Sequence, residues 1–217
     1  MKSFPGLVLY GLVLSGLVLS GLFLLGVVGC GGGGGDRFPQ HTADAAAIAK
    51  QIMATYDTDA NAELSSAELG KCKGLMMLTV GQEQLPPDQR LDNDGSGSVS
   101  EAELVQKFAA CLKSRRHGYE CVVYYRGQPL AGATVKLVPE SFMGDVPVAT
   151  GTTNDEGKCS VATDDGFVGG VPGIYRVEIT HPTAKIGARF NTETTLSVAL
   201  DPTNPYAVQG VPRIDVK

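Results

Sequence analysis

Two stretches of the sequence repeat one pattern 35 positions apart: DTDANAELSSAE at residues 57–68 and DNDGSGSVSEAE at residues 92–103. Each stretch carries an oxygen-bearing side chain at its positions 1, 3, 5, 7, 9 and 12 and an apolar residue at position 8. In the first stretch the oxygen-bearing residues are Asp57, Asp59, Asn61, Glu63, Ser65 and Glu68, and in the second they are Asp92, Asp94, Ser96, Ser98, Ser100 and Glu103. The pattern indicates an internal duplication of a short acidic loop.

Apolar residues at helical spacing flank both acidic stretches. Before the first stretch these residues are Ala45, Ile48, Ile52, Met53 and Tyr56. Thr42 is a suitable N-cap for that helix. Two further helical segments are predicted from Leu69 to Val80 and from Leu104 to Leu112. The sequence therefore predicts a helix, an acidic loop and a helix, twice in succession.

Residues 42–113 resemble an EF-hand pair. Calcium takes six to eight oxygen ligands, and an EF-hand loop supplies them from side chains at positions 1, 3 and 5 and from a backbone carbonyl at position 7. Position 9 acts through water or its hydroxyl, and the glutamate at position 12 is bidentate. The resemblance implies two Ca²⁺ sites, with the twelve residues named above as their ligands. It also implies that Leu64 and Val99, at position 8, pair as a short β-bridge between the loops.

Two other interpretations of this segment remain. Asp-x-Asp is common in turns, and Ser65-x-x-Glu68 and Ser100-x-x-Glu103 are capping boxes that start helices. The capping boxes are compatible with an EF-hand, because a capped helix follows each of its calcium loops. A dockerin also duplicates a calcium loop, but the helix at residues 42–56 and the 35-residue spacing disfavour it.

Position 6 distinguishes the two loops. The second loop has Gly97, the residue that EF-hand loops use for their sharp turn, whereas the first has Ala62. A Cβ atom in a left-handed turn costs about 1–2 kcal/mol. The first site is therefore expected to bind calcium more weakly than its ligands suggest, although the added carboxylate of Glu63 offsets part of the loss.

From Tyr119 onward, apolar and polar residues alternate with a period of two, which is typical of strands. Seven strands are predicted, at residues 121–125, 133–138, 148–153, 159–163, 174–180, 194–200 and 211–216. Seven short strands in about a hundred residues indicate a β-sandwich. The boundary with the helical segment is expected near residues 114–118, so the fold class is multidomain, α plus β.

Residues 118–217 resemble the carboxypeptidase regulatory-like, transthyretin-like domains. The resemblance is carried by YRGQPLAGATVKL at residues 125–137 and by GTTNDEG at residues 151–157. Further matches at residues 139–144, 173–180 and 190–195 are similar to small planctomycete-type lipoproteins that carry this domain. The resemblance implies an all-β, seven-stranded transthyretin-like sandwich that serves as a structural or interaction module and identifies no ligand.

Local patterns in this segment predict its turns and its buried face. Residues 127–130 are expected to turn one strand into the next, and residues 154–157 to form a hairpin turn. Ala133, Val135 and Leu137 are expected to point to one side of their strand, since alternate residues face opposite ways.

The N-terminal region is almost wholly apolar from Phe4 to Val28. The sequence VVGC at residues 27–30 resembles the bacterial lipobox, which implies a lipoprotein signal peptide at residues 1–29 and lipidation of Cys30. Residues 30–41 then form a glycine-rich tether. The alternative is an uncleaved membrane-spanning helix, for which the apolar run is long enough. Either way, the rest of the chain is expected at the cell envelope, facing the periplasm or the exterior.

The remaining cysteines are even in number. Such cysteines in an oxidising compartment predict disulfides, and pairs within each segment are favoured, Cys72 with Cys111 and Cys121 with Cys159. The alternative is four buried free thiols. His41, His117 and His181 fit no zinc pattern and are expected in loops.

The chain has 217 residues and a net charge of −5, and residues 36–113 alone, with 12 acids and 7 bases, also carry −5. The sequence has no basic stripe of the kind that would indicate nucleic-acid binding. The sequence also lacks a nucleophile elbow, a phosphate loop and a cysteine–histidine signature, the motifs that would indicate an enzyme.

The sequence therefore predicts a calcium-binding envelope lipoprotein with a β-sandwich interaction module. Its expected partners are calcium ions, a membrane through the lipid anchor, and a protein or envelope polymer. An alternative is a non-catalytic accessory module of an envelope enzyme complex. A transthyretin-related hydrolase is disfavoured, because the Tyr125-Arg126-Gly127 sequence, which echoes the catalytic tail of that family, is not C-terminal here.

Overall fold

The computed structural model describes residues 43–206 and 211–217, all of which belong to one compact unit spanning Phe38–Lys217. The expected signal peptide at residues 1–29, the lipidation site Cys30 and the tether at residues 30–41 lie outside the described residues. Within the described part of the chain, no helix has the length and apolarity needed to cross a membrane.

The first helix, α1, spans Ala45–Tyr56. Its N-cap is Asp44, whose side chain accepts from the Ala46 N–H at 3.0 Å, whereas the expected cap, Thr42, lies outside the described residues. Ile48, Ile52 and Met53 are buried. The helix therefore buries one apolar face, as its periodicity predicts.

Short elements follow around the two acidic loops. They are β1 (Glu63–Leu64), α2 (Ser66–Leu69), α3 (Lys73–Met77), two 3₁₀ turns at Gln82–Gln84 and Pro87–Gln89, β2 (Val99–Ser100) and α4 (Glu101–Lys113). The helix predicted over residues 69–80 is thus broken into α2 and α3. The break begins where backbone bonds shorten to i→i+3 spacing, with the Lys71 N–H donating to Glu68 O at 3.1 Å.

Packing against the sheets explains the position of α3. A Cβ atom on Gly74 would lie 2.1 Å from Ile174 Cγ2, so the helix backbone rests directly on a buried strand residue. Only glycine permits so close an approach. The tertiary contact therefore sets the direction of α3, and it cannot be deduced from helical periodicity.

Nine strands follow α4 in the described residues. They are β3 (Glu120–Tyr125), β4 (Gln128–Pro129), β5 (Thr134–Pro139), β6 (Ala149–Thr152), β7 (Lys158–Ser160), β8 (Ala162–Thr163), β9 (Gly173–Thr180), β10 (Ser197–Leu200) and β11 (Arg213–Val216). Each of the seven predicted ranges overlaps at least one strand. The range 159–163 divides into β7 and β8, and β4 was not predicted.

The strands form two sheets. One has the order β10-β9-β5-β6-β8 and is antiparallel throughout. In the other, β3 pairs with β4 and β7 in antiparallel fashion and with β11 in parallel. Helices and antiparallel sheets together confirm the predicted α plus β class.

Two turns differ from the sequence prediction. Tyr125 pairs with Gln128, so the chain reverses at Arg126 and Gly127, with φ of 52° and 82°, one residue earlier than expected. The turn at Asn154–Gly157 joins β6 of one sheet to β7 of the other, whereas a hairpin was predicted. Turn residues fix a local reversal, but pairing on each side depends on strands far away in the sequence.

The buried faces of the strands and helices meet in one hydrophobic core. In β5 and just before it, Ala133, Val135 and Leu137 are buried and Lys136 is exposed, which confirms the predicted alternation. The same core includes α1 and α4 residues.

Candidate metal site

Each acidic loop gathers three carboxylates. One oxygen from each of Asp57, Asp59 and Glu68 lies within 4.8 Å of the others. Asp92, Asp94 and Glu103 form the same arrangement in the second loop. Three negative groups at this distance repel one another unless cations or N–H donors compensate them.

Backbone N–H groups orient the first aspartate of each loop. The carboxylate of Asp57 accepts from the N–H groups of Asn61 at 3.2 Å and Ala62 at 3.0 Å. In the second loop Asp92 accepts from Ser96 at 3.1 Å and Gly97 at 3.0 Å. The two loops therefore wrap their backbone around the first carboxylate in the same way.

The glutamate at position 12 is buried in the first loop, with Glu68 only 4% exposed. Its Oε1 accepts from the Thr58 N–H at 2.7 Å and its Oε2 from the Ser65 N–H at 3.0 Å. These N–H groups, Ser65 first and then Thr58, lower the pKa of Glu68 to about 2. The carboxylate is thus ionised at neutral pH and held in one orientation.

Glu103 occupies the same position in the second loop. Its Oε1 accepts from the Asn93 N–H at 2.9 Å and its Oε2 from the Ser100 N–H at 2.8 Å. Ser65 and Ser100 cap α2 and α4, and both capping boxes are complete. The hydroxyls of these two position-9 residues therefore bind the position-12 glutamate.

The neutral residues of the predicted ligand set lie beside the carboxylates. Asn61 Oδ1 accepts from the Glu63 N–H at 2.8 Å, and Asn61 Nδ2 donates to Asp59 Oδ2 at 3.1 Å. In the second loop the Ser96 N–H donates to Asp94 Oδ1 at 2.9 Å. That N–H, followed by the Ser96 hydroxyl, lowers the pKa of Asp94.

A bridge between the loops brings the two clusters side by side. Strands β1 and β2 pair antiparallel, with Leu64 opposite Val99, and both of these side chains are buried. This is the predicted pairing of the position-8 residues. The Ser98 hydroxyl of one loop also donates to the Glu63 carboxylate of the other. Each loop therefore restricts the position of its neighbour.

Both loops turn through left-handed backbone at positions 4 and 6. The φ angles are 57° at Ala60 and 67° at Ala62, against 75° at Gly95 and 88° at Gly97. Strain at Ala62 was predicted from the sequence, but strain at Ala60 was missed. The signal was available, because glycine occupies the equivalent position of the second loop.

The donors suit a hard divalent cation. Each loop offers three carboxylates and a neutral side-chain oxygen at position 5, with no nitrogen or sulfur ligand in the set. Calcium accepts six to eight such oxygens at about 2.3–2.6 Å in flexible geometry, whereas zinc and copper prefer nitrogen or sulfur. The arrangement can therefore hold a cation and neutralise the carboxylates at the same time.

The four described cysteines are buried free thiols in this structure. Cys121 and Cys159 face each other across β3 and β7, and their mutual hydrogen bond raises the pKa of Cys121 and lowers that of Cys159. Cys72 lies beside Tyr56 and Glu140, whereas Cys111 contacts Asp201. Neither predicted disulfide is formed among these thiols. Cys121 and Cys159, one predicted pair, are neighbours on paired strands, whereas Cys72 and Cys111, the other predicted pair, have different surroundings.

The two described histidines, His117 and His181, have their partners outside the acidic loops. His181 Nδ1 accepts from the Ala184 N–H at 2.8 Å within its own turn, and its Nε2 lies 3.0 Å from the carbonyl oxygen of Ala131, fifty positions earlier. His117 forms a backbone bridge with Gly170. His41 lies outside the described residues.

Lys107 and Asp201 form a buried ion pair that sequence reasoning missed. Lys107 Nζ lies 2.8 Å from Asp201 Oδ2, with side chains 2% and 0% exposed. One signal was available, since Lys107 stands on the apolar face of α4 with Leu104 and Cys111. Its partner, 94 positions later, carries no local signal.

Comparisons with protein-family models, with curated proteins and with solved structures found no match to this chain.

Proposed function

We propose that residues 42–113 form an EF-hand pair that binds one Ca²⁺ ion in each loop. The observation that carries this proposal is the repetition of one geometry 35 residues apart: three carboxylates within 4.8 Å, a first aspartate held by the backbone, and a capped helix with a buried glutamate as its third residue. A chance acidic turn does not account for two such sites joined by a β-bridge.

Calcium is the cation that this donor set favours. All the expected ligands are oxygens, and a glutamate with both oxygens turned to the loop suits the bidentate position of a calcium site. Magnesium requires near-octahedral geometry and keeps several waters, which a loop with this many carboxylates does not favour. Extracellular calcium modules work at dissociation constants of about 10⁻⁴–10⁻³ M, so moderate affinity is sufficient outside the cytoplasm.

The anchor and the second module complete the proposal. The lipobox-like sequence before Cys30 supports an envelope lipoprotein, and the two sheets of residues 118–217 support a transthyretin-like sandwich. We assign this sandwich a binding role, because the sequence offers no catalytic signature and both ring nitrogens of His181 have backbone partners, at Ala131 and Ala184. Crosslinking with mass spectrometry in the native envelope identifies its partner and distinguishes a free-standing protein from an accessory module of an enzyme complex.

Calorimetry on the fragment from Asp36 to Lys217 tests the calcium proposal. Two binding events are expected for Ca²⁺, and Mg²⁺ is expected to bind more weakly. Glu68→Gln should remove one event and Glu103→Gln the other, since each substitution neutralises a bidentate ligand. Absence of calcium binding at millimolar concentration, with a folded fragment, contradicts the proposal.

A further inference from the structure

Lys107 connects the second acidic loop to the sheets. It lies in α4, one helical turn after Glu103, and its side chain is buried. Its Nζ lies 2.8 Å from Asp201 Oδ2 and donates to Thr203 Oγ1 at 3.0 Å and to Gln89 O at 3.2 Å. One ion-pair partner and two hydrogen-bond acceptors therefore restrict the position of this ammonium group.

Lys107 and its partner Gln89 lie on opposite sides of the second loop in the sequence. Gln89 is three residues before Asp92, the first residue of the loop, and Lys107 is four residues after Glu103, the last. One ammonium group therefore holds the segment that enters the loop and the helix that leaves it. The distance between the carboxylates of Asp92 and Glu103 depends on the positions of this entering segment and of the helix that follows the loop.

Asp201 fixes this arrangement to a sheet. It directly follows Leu200, the last residue of β10, and its side chain is fully buried. Its Oδ1 accepts from the Thr203 N–H at 3.0 Å and from Cys111 Sγ at 3.1 Å. Burial opposes its ionisation, but the charge of Lys107 holds the pKa of Asp201 below its usual value.

We propose that Asp201 is a positioning residue for the second calcium site: through Lys107 it fixes both ends of the loop and so sets the calcium affinity of that loop. The inference rests on the calcium function proposed above. Because linkage is reciprocal, calcium in the second loop favours the Lys107–Asp201 pair by the same factor. The sheet and the metal site thus form one coupled pair.

The first loop is held differently. Tyr56, the residue before Asp57, packs edge-on against Phe142 with ring centroids 6.3 Å apart. An apolar ring contact tolerates small displacements, whereas a buried ion pair loses its compensation when one partner moves. Changes at Asp201 are therefore expected to weaken the second site more than the first, which is joined to it through the β1–β2 bridge.

The test measures each site alone. Glu68→Gln leaves only the second site and Glu103→Gln only the first. In the first of these backgrounds, the double substitution Lys107→Met with Asp201→Asn should weaken calcium binding about fivefold, a typical coupling factor. In the second background the loss should be clearly smaller, because the first loop is reached through the β1–β2 bridge. The double substitution removes both charges, so no buried charge is left unpaired.

A matched control breaks another ion pair between the same halves of the chain. Asp165 Oδ2 lies 2.7 Å from Arg116 Nη1, beyond the end of α4. Asp165→Asn is therefore expected to leave calcium affinity at both sites as in the parent. An equal loss of affinity in this control would overturn the inference, because any weakened contact would then suffice.

Hydrogen exchange provides a readout that overall destabilisation does not imitate. In the otherwise unchanged chain, calcium should slow amide exchange at residues 201–204, and in the double variant it should not. A folded double variant with unchanged affinity at the second site overturns the inference. If the double variant does not fold, Thr203→Val decides, with about a twofold loss expected. If the unsubstituted chain binds no calcium, the proposed function fails instead.

Discussion

Backbone strain in the first loop predicts how its calcium affinity responds to glycine. Ala60 and Ala62 have φ of 57° and 67°, whereas the second loop has Gly95 and Gly97 at the equivalent positions. A left-handed conformation costs an ordinary residue about 1–2 kcal/mol. The first loop therefore carries this cost twice and the second loop not at all.

The size of the effect follows from two opposing terms. Ala62→Gly relieves about 1–2 kcal/mol of strain in the turned loop. Glycine also loses more freedom when the loop becomes ordered, which returns about 0.4–1 kcal/mol. The net gain of about 1 kcal/mol corresponds to about fivefold tighter binding. Ala60→Gly in addition should bring the total to between about fivefold and 25-fold, since neighbouring changes do not add fully.

Calorimetry in the Glu103→Gln background isolates the first site for this measurement. The mirror control is Gly97→Ala in the Glu68→Gln background, where binding should weaken about fivefold. A Cβ at Gly97 would meet no atom within 4 Å, so the backbone alone causes that loss. Unchanged affinity in Ala62→Gly would refute the strain argument. A rise in calcium-free melting temperature without a gain in affinity would place the strain in folding and not in binding.

Three further predictions concern the anchor, the thiols and pH. Cys30→Ala should block processing and lipidation, and mass spectrometry of a mature chain that retains residues 1–29 would contradict the anchor. Nonreducing peptide mapping of envelope-isolated protein should join Cys121 to Cys159, whereas labelling of both thiols would exclude that disulfide. Without calcium, acidification from about pH 4.5 to about pH 2 should remove stability as Glu68 gains a proton, because its pKa is lower in the folded chain. Glu68→Gln should flatten this part of the curve of unfolding free energy against pH, and an unchanged curve would show that Glu68 does not contribute.

The acidic loops could be predicted in detail because their physics is local. Ligand candidates, capping boxes and turn residues all fall within twelve positions, so the sequence determines which groups can meet. Glu63 shows where local reasoning ends. Its carboxylate was expected to act on its own loop, but it accepts a hydrogen bond from Ser98 of the other. That contact depends on the β1–β2 register.

Features that depend on distant partners could not be predicted. The direction of α3 follows from the close approach of Gly74 to Ile174, which are a hundred positions apart. Strand β7 joins a different sheet from β6 because β3 pairs with it. Helical periodicity and turn propensity contain no information about either contact.

The short helices between the loops show why the two halves of the chain cannot be treated as independent. Helices α2 and α3 have four and five residues, and isolated helices shorter than about 12–15 residues are marginal in water. Their stability must come from packing, which Gly74 against Ile174 and the Asn204 Nδ2 bond to Val80 O at 2.8 Å provide. The sheets therefore stabilise the segment that connects the two acidic loops. Any cation that orders those loops also favours the packed sheets. Metal binding and folding of this unit are therefore thermodynamically linked.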